Sequence, residues 1–317
     1  MTLFRRVLLV EWSGLAVAIV IGAAVLSFLT PNFLTEFNIY VMLRSFCVGL
    51  LIGFAQMVTL GVGQMNIAVG AIGGLVAIVF GGMMEVLGVP LVLAVPIAIA
   101  VGGLCGLING LLTVRTGING FIITLATASA FTGINLGITE SIPFYKMPAA
   151  LVAFGEQRFF AFPYLLIAPI IVAALLGLFF ARTVPGRQLL AVGGNANAAE
   201  LSGISRGRIV VLAHILSGTL AAIAAVLAVA QLGSAQPSIG TDWLLLSFAA
   251  PIIGGAALTG GYLSVLGTMF AVVLIALIEN GMVLAKVDPY WVQFLLGALI
   301  LAAVWLNRWR AVRTGTG

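Results

Sequence analysis

The sequence predicts an all-α, polytopic bundle of transmembrane helices with about ten spans. Composition is the first indication, because 62% of the 317 residues are apolar and only 7% are charged. A soluble protein of this length needs roughly a quarter of its residues charged to solvate its surface. The mean hydropathy of +1.24 therefore indicates that hydrocarbon faces most of the surface. We expect residues 1–317 to form a single transmembrane domain.

Apolar runs separated by charged residues and by Pro or Gly breaks define the spans in order. They cover residues 8–29, 39–61, 67–86, 91–114, 119–138, 163–182, 209–232, 244–258, 264–281 and 290–307. If the N-terminus lies inside, most basic residues fall on the inner side, and those left outside are Arg44, Lys146, Arg158 and Lys286. This asymmetry predicts that both termini face the cytoplasm.

Two stretches interrupt the helical pattern at membrane depth. The eighth run is short, and its end carries Pro251 and Gly254, while a Gly-rich stretch over residues 61–70 joins the second and third runs. Irregular backbone at this depth is tolerated only where protein or a watery cavity covers it, so we expect both stretches near a pathway. Close helix packing is the alternative for any single glycine. Trp243 lies just before the eighth run, where we expect it in the interfacial aromatic belt.

Two connections are longer than the others. Residues 139–162 form an outer loop that is long enough to fold onto the outer face and meet a partner, although a passive connector is the alternative. Residues 183–208 form a cytoplasmic segment in which Asn195 can cap a helix and Gly203 can end it. We expect a short helix outside the membrane in this segment.

Groups that enzyme chemistry requires are missing from the sequence. His214 is the only histidine, and Cys47 and Cys105 lie in separate apolar runs, which excludes His-rich metal sites and a disulfide framework. No Gly-x-x-x-x-Gly-Lys-Ser/Thr phosphate loop occurs, so the chain has no ATP site of that kind. We therefore predict no catalytic residue, no metal and no cofactor in this chain.

The polar residues expected in mid-span positions are neutral. The carboxylates of the apolar runs, such as Glu85 and Glu279, fall near span ends, so ion coupling through a buried carboxylate is not indicated. The pathway-lining candidates are Gln56, Gln64, Asn66, Asn109, Thr124 and Thr127. Such a lining suits an uncharged, hydroxylated solute, although interhelical hydrogen bonds explain each residue about as well. The energy source is then expected to be another subunit.

Specific motifs occur in the cytoplasmic segment and downstream of it. They are Gly186-Arg187, Ala191-Val192-Gly193-Gly194-Asn195, Ala198-Ala199-Glu200-Leu201-Ser202-Gly203-Ile204, Gly233-Ser234-Ala235-Gln236-Pro237 and Ile253-Gly254-Gly255-Ala256-Ala257-Leu258-Thr259-Gly260-Gly261. These stretches resemble ribose-type permeases of ABC importers, and the likeness extends from about the second span to the tenth. In that family two permease chains assemble with two ATPase subunits and receive a sugar from a periplasmic binding protein.

By this resemblance, the chain is the permease subunit of an importer for a monosaccharide or similar neutral polyol in the bacterial inner membrane. The implied partners are a second permease subunit, identical or different, a cytoplasmic ATPase that holds ATP and Mg²⁺, a periplasmic or lipid-anchored solute-binding protein, and membrane lipid. Nucleic acid is not expected. The residues implied in ATPase coupling are Asn195, Asn197, Glu200, Leu201, Gly203 and Ile204. The candidates for docking the binding protein are Arg44, Lys146 and Arg158.

One motif departs from the family pattern. Relatives commonly carry Ile-Asp-Leu-Ser-Val-Gly between the second and third spans, whereas this chain has Met65-Asn66-Ile67-Ala68-Val69-Gly70. Asn66 and Ala68 replace an acid and a hydroxyl in the broken region, so the substrate need not be ribose. Two alternatives stay open: a stand-alone secondary carrier or facilitator, and an ABC permease for branched-chain amino acids or nucleosides.

Overall fold

The structure is a computed structural model that describes residues 13–288 and, beyond them, residues 291, 293–295, 297–298, 301–302 and 305. Between residues 13 and 288 the chain forms twelve α-helices. In chain order these are α1 (Ser13–Leu29), α2 (Glu36–Gly61), α3 (Val69–Glu85), α4 (Leu91–Thr116), α5 (Gly120–Thr139), α6 (Ala149–Glu156), α7 (Ile167–Arg182), α8 (Val184–Gly194), α9 (Ala196–Leu201), α10 (Arg206–Leu232), α11 (Trp243–Ile253) and α12 (Val265–Leu284).

Six helical segments of the described chain are long and apolar enough to cross a membrane. They are α2, α4, α5, α7 with the 3-10 turn before it, α10 and α12. Three shorter apolar helices, α1, α3 and α11, coincide with the first, third and eighth predicted runs. The prediction of a membrane-spanning helical bundle is therefore confirmed. The start of the first predicted run and most of the tenth, 290–307, lie outside the described residues.

The bundle has a buried centre and a lipid-accessible periphery. In α2, 72% of the most apolar 18-residue window is buried, and in α10 the share is 67%, whereas in α5 it is 22%. Helices α2 and α10 are therefore central, and α5 exposes most of its surface. Cys47 and Cys105 are both buried and are not joined in a disulfide.

Helix α4 packs on α10 through a stripe of small residues. Gly102, Gly106 and Gly110 repeat every fourth residue, so they share one face of α4. A Cβ at Gly106 would meet the backbone carbonyl of His214 on α10, and a Cβ at Gly110 would lie 2.7 Å from the Cα of Val211. The glycines thus allow the two helix backbones to approach closely.

The eighth predicted span is broken, as expected. Helix α11 has 11 residues, which extend about 17 Å, roughly half of a bilayer core of about 30 Å. A non-helical stretch, residues 235–242, precedes it, and Ala235 is held by two backbone hydrogen bonds to Phe144, each 2.9 Å. The prediction that Trp243 lies in the interfacial aromatic belt is wrong, because the residue is 7% exposed and its ring covers Gly73 on α3.

The two long connections are both structured. Residues 139–162 contain α6, and strand β1 (Arg158–Phe159) then pairs antiparallel with β2 (Phe162–Pro163). Residues 183–208 contain α9, close to the predicted helix, and also α8, which the sequence analysis did not predict. We call the end of the bundle that carries α8 and α9 the α9 end, and the opposite end, with α6 and the strands, the hairpin end.

Candidate functional site

Helix α9 has the caps that its sequence predicts. The side-chain oxygen of Asn195 accepts a hydrogen bond of 3.0 Å from the backbone N–H of Ala198. At the other end Gly203 has φ +81°, in the left-handed region. The N–H of Gly203 donates to Glu200 O at 2.9 Å, and the N–H of Ile204 donates to Ala199 O at 3.0 Å. These two bonds form a Schellman motif, so α9 is fixed at both ends despite its six residues.

The surface of α9 is open to a partner. Leu201 is 92% exposed, and Asn197 and Glu200 are also exposed, whereas Ala199 is buried and Ile204 packs partly against the core. Leu201, Asn197 and Glu200 are therefore accessible to another protein on this capped helix. All six coupling candidates thus lie on α9, its caps or the residue that follows them.

Helix α8 joins α9 to both interrupted stretches at a cluster that we call the glycine junction, formed by Gly61, Gly193 and Gly261. The N–H of Gly261 donates to Gly61 O at 3.0 Å. A Cβ at Gly193 would meet both Gly61 O and Gly261 N. Gly261 has φ +83°, and its own Cβ would lie 2.5 Å from the Cα of Gly194. The backbone at the end of α2, the end of α8 and the stretch after α11 is therefore in direct contact.

Polar side chains hold the first interrupted stretch, the Gly-rich residues 61–70, in place. The Asn66 amide donates to Ser217 Oγ at 2.9 Å, and its oxygen accepts from the Ala68 N–H at 3.0 Å. Thr124 Oγ1 accepts from the Ile67 N–H at 3.0 Å. The Gln56 amide nitrogen, in the orientation that satisfies both of its groups, lies 2.9 Å from Asn66 O. These hydrogen bonds account for the burial of three pathway-lining candidates.

The other pathway-lining candidates are spread over different surroundings. Gln64 Oε1 accepts from the Gly120 N–H at 3.1 Å and lies in the wall of a cavity at the α9 end. Thr127 Oγ1 lies 3.3 Å from Thr124 O on its own helix. Asn109 and His214 are fully buried, and within the described residues neither side chain makes a hydrogen bond. Gln64 and Thr124 both bond to the backbone of Gly120, and the lining of a pathway by these candidates stays a prediction.

The cavity at the α9 end has a volume of about 460 Å³. Gln64 of the first interrupted stretch lies in its wall. The wall also contains Thr113 and Asn119, near the facing ends of α4 and α5. Glu200 and Arg206, on either side of the α9 C-cap, complete the polar part of the wall. The cavity thus connects α9 to the first interrupted stretch by a second route besides the glycine junction. Within the described part of the chain no group of three or more His, Cys, Asp or Glu side chains could hold a metal ion.

The three docking candidates lie at the hairpin end in different environments. Lys146 is exposed, and its backbone N–H donates to the Glu85 carboxylate at 2.9 Å. Arg158 is exposed, lies 3.9 Å from Glu36 and stacks over the Tyr40 ring at 4.9 Å. Arg44 is partly buried, and its guanidinium donates to the backbone carbonyl of Gln231 at 2.6 Å. Lys146 and Arg158 are therefore accessible, whereas Arg44 has an internal partner that the sequence could not indicate.

A second cavity, between α3, α5 and the stretch before α11, is lined by residues that the sequence analysis did not select. Thr132 and Asn135 of α5 and Thr241 before α11 lie in its wall. None of these three residues belongs to a distinctive sequence motif. The cavity forms only where α3, α5 and the stretch before α11 come together, so the sequence alone did not indicate it.

Comparison with known proteins gives a consistent set of relatives. The chain matches the model of the family described as branched-chain amino acid transport system / permease component over residues 29–304. The ribose import permease protein of Bacillus subtilis (strain 168) is 34% identical over 286 residues, which cover 90% of this chain and 88% of the relative. The D-allose transport system permease protein of Escherichia coli (strain K12) has the same identity and coverage.

A third relative is named for the import of autoinducer 2. The autoinducer 2 import system permease protein of Photorhabdus laumondii subsp. laumondii is 32% identical over 322 residues, covering 95% of this chain and 96% of the relative. No solved structure matches the chain. All three relatives are similar to the chain over nearly its whole length, so the similarity includes the α9 segment and both interrupted stretches.

Proposed function

Because the chain belongs to the family of branched-chain amino acid transport system permease components, we propose that it is the membrane-spanning subunit of a binding-protein-dependent ABC importer. The transported solute is a monosaccharide or a similar neutral polyol. Relatives named for ribose and for D-allose support this substrate class, and the resemblance to ribose-type permeases that the sequence motifs indicate is confirmed.

The chain is a multi-pass protein of the bacterial inner membrane. We propose that residues 1–317 form a single permease domain with ten spans, the six long helices being joined by α1, α3, α11 and the segment 290–307. The termini and the α9 end face the cytoplasm, and the hairpin end faces outward. The excess of arginine at the α9 end supports this orientation.

The observation that carries the proposal is the placement of α9. A helix capped at both ends presents Leu201 and Glu200 on its surface, and the adjoining helix α8 contacts both interrupted stretches at the glycine junction. A partner that moves α9 would therefore act directly on the two irregular stretches of the bundle. We propose that this partner is a cytoplasmic ATPase, which holds ATP and Mg²⁺ and supplies the energy.

The remaining partners follow from the same assembly. A second permease subunit, identical or different, completes the membrane part, and membrane lipid covers the rest. A periplasmic or lipid-anchored solute-binding protein docks at the hairpin end, where Lys146 and Arg158 are available to acidic residues. The chain is a transport subunit, and nucleic acid has no place in this function.

The alternatives receive less support. A stand-alone carrier leaves the exposed Leu201 of α9 without a role. The family description names branched-chain amino acids, yet the three relatives described above carry the names of ribose, D-allose and autoinducer 2. The residues around the interrupted stretches are neutral, which suits a polyol better than a zwitterion.

Reconstitution with the partners tests the proposal. The chain would be co-expressed with a candidate ATPase and binding protein, and ATP-dependent uptake of D-ribose and D-allose into liposomes would be measured, with leucine as the comparison solute. We expect saturable sugar uptake and ATP hydrolysis stimulated by loaded binding protein. Leucine uptake in place of sugar uptake, or sugar uptake without the ATPase, would contradict the proposal.

A charge reversal on α9 tests the coupling role separately. We propose that Glu200 meets a basic groove on the ATPase. Glu200→Arg should then abolish uptake and co-purification of the ATPase, because the groove would repel the new charge, while the chain still inserts. Glu156→Arg, the same change at the hairpin end, is the matched control and should leave ATPase binding unchanged. Normal uptake by Glu200→Arg combined with Gly203→Val would mean that α9 is only a connector.

A further inference from the structure

A cavity of about 310 Å³ lies between α3, α5 and the stretch that precedes α11. We call it the central cavity; its α5 residues extend from Ala128, near the middle of that helix, to Asn135, one turn from its end. Ligand sites begin at about 300 Å³, so the central cavity is large enough for one small solute. Glycines shape it: a Cβ at Gly74 would lie 2.6 Å from the backbone carbonyl oxygen of Ile239.

Asn135 supplies an unused hydrogen-bond acceptor in the wall of this cavity. The side chain is 3% exposed, and its amide nitrogen donates to Pro237 O at 2.9 Å, which fixes the orientation of the group. Its oxygen is buried and accepts no hydrogen bond within the described part of the chain. Buried polar atoms are nearly always paired, so an acceptor held in this way indicates a donor that is absent from the structure.

Two threonines add hydroxyl groups to the same wall. The Thr241 hydroxyl donates to Ser238 O at 2.9 Å, so its oxygen is left with the capacity to accept. Thr132 lies one turn from Ala128 and one turn from Asn135 on the cavity face of α5. The other lining residues are apolar or glycine, and no charged side chain belongs to the described lining.

The N-terminal turn of α11 also borders the cavity. Thr241 and Leu244 line it, and Gly240, with φ +92°, turns the chain into the helix. The first N–H groups of a helix have no partner within it, and interrupted spans place such ends at substrate sites in other transporters. The N–H groups at this end are donors, and Asn135 Oδ1 is an acceptor, so together they match a hydroxyl group, which both accepts and donates.

We propose that the central cavity is a transit site for one neutral, polyhydroxylated solute molecule. A solute hydroxyl donates to Asn135 Oδ1, other hydroxyls bond with Thr132 and Thr241, and Ile67 and Leu244 contact the C–H surface of the solute. An ion is disfavoured, because the lining offers no opposite charge at membrane depth. The inference rests on the proposed function and assigns to it a site that the hydrogen-bonded residues Gln56, Asn66 and Thr124 do not provide.

The transport test uses the reconstituted importer, with solute moved per ATP hydrolysed as the readout. Thr132→Val and Asn135→Leu should each lower this ratio by about tenfold, as expected for one lost hydrogen bond in a buried site, while binding-protein-stimulated hydrolysis and assembly persist. Ser129→Val is the matched control on the same helix, because Ser129 lies outside the cavity lining. We expect the fold to tolerate Thr132→Val, because Thr132 is exposed, so an unchanged ratio in this variant would overturn the inference.

A labelling test measures whether sugar enters the cavity, independently of transport. Thr132→Cys, in a background without Cys47 and Cys105, should react with a small thiol reagent, and D-ribose or D-allose in excess should slow the reaction. Ser129→Cys should show no protection. If the wild type imports sugar but sugar does not protect residue 132, the transit site is wrong and the proposed function stands. Absence of ATP-dependent import by the wild type overturns the proposed function, and the protection result then decides the cavity by itself.

Discussion

Substitution of Gly193 by alanine tests whether the glycine junction transmits movement. Gly193 belongs to α8, and a Cβ there would meet Gly61 O and Gly261 N, which are backbone atoms that cannot rotate away. Overpacking of this kind costs roughly 1–3 kcal/mol, and the higher helix propensity of alanine offsets at most about 1 kcal/mol. We therefore expect a net loss of about 1–2 kcal/mol, with separation of α8 from the end of α2.

The neighbouring glycine is a matched control. A Cβ at Gly194 would lie 3.8 Å from the Cα of Gly261, which is an ordinary van der Waals contact. Gly194→Ala should therefore be neutral or slightly stabilising, although it makes the same chemical change one residue away. The two variants differ only in the backbone that the new methyl group meets.

Two measurements on the purified importer distinguish strain from coupling. Gly193→Ala should lower the thermal midpoint in detergent, and in liposomes it should lower solute uptake more than basal ATP hydrolysis, because the ATPase no longer controls the interrupted stretches. Gly194→Ala should match the wild type in both assays. Wild-type thermal stability and uptake in Gly193→Ala would refute the contact on which the reasoning depends.

Three further predictions concern topology, docking and capping. Ala198→Cys in a cysteine-free background should react with an impermeant thiol reagent in inside-out vesicles; labelling from outside intact cells would show that the orientation is reversed. Lys146→Glu should slow docking of the binding protein and weaken its salt dependence without loss of stability, since the side chain is exposed; unchanged stimulated hydrolysis in both Lys146→Glu and Arg158→Glu would remove these residues from the interface. Asn195→Ala should destabilise α9 by about 1 kcal/mol through loss of the cap, and ATPase affinity should fall measurably; equal affinity would mean that the ATPase does not need α9 to be ordered.

The fold class and the order of the spans follow from the sequence because they depend on local composition. A run of about 20 apolar residues is a transmembrane helix wherever it occurs, and charge or glycine marks its ends. The same locality explains α9: Asn195 accepts from a residue three positions away, and Gly203 supplies the left-handed backbone, so both caps are readable in one stretch of chain. Helix α8 was missed because its residues are less apolar than a span and carry two glycines near its end.

Which residues come together in each site depends on contacts between segments that are distant in the sequence, so the sequence alone did not predict them. Gln56 and Asn66 are mid-membrane polar residues by sequence, and the bundle places them against each other, where their hydrogen bonds hold the interrupted backbone. Trp243 has the position of an interfacial residue, yet Gly73 on α3 leaves space that its ring fills.

The sequence by itself thus determined that the chain crosses the membrane repeatedly, where its helices break, and which short helix is capped outside them, since each property is encoded within one segment. Only the tertiary structure decided that Gly61, Gly193 and Gly261 meet, and that Asn135 keeps a free acceptor in a cavity beside α11. The physical reason is that an apolar helix can bury any face, and the face it buries is chosen by the shape and hydrogen-bonding groups of helices that lie far away in the sequence.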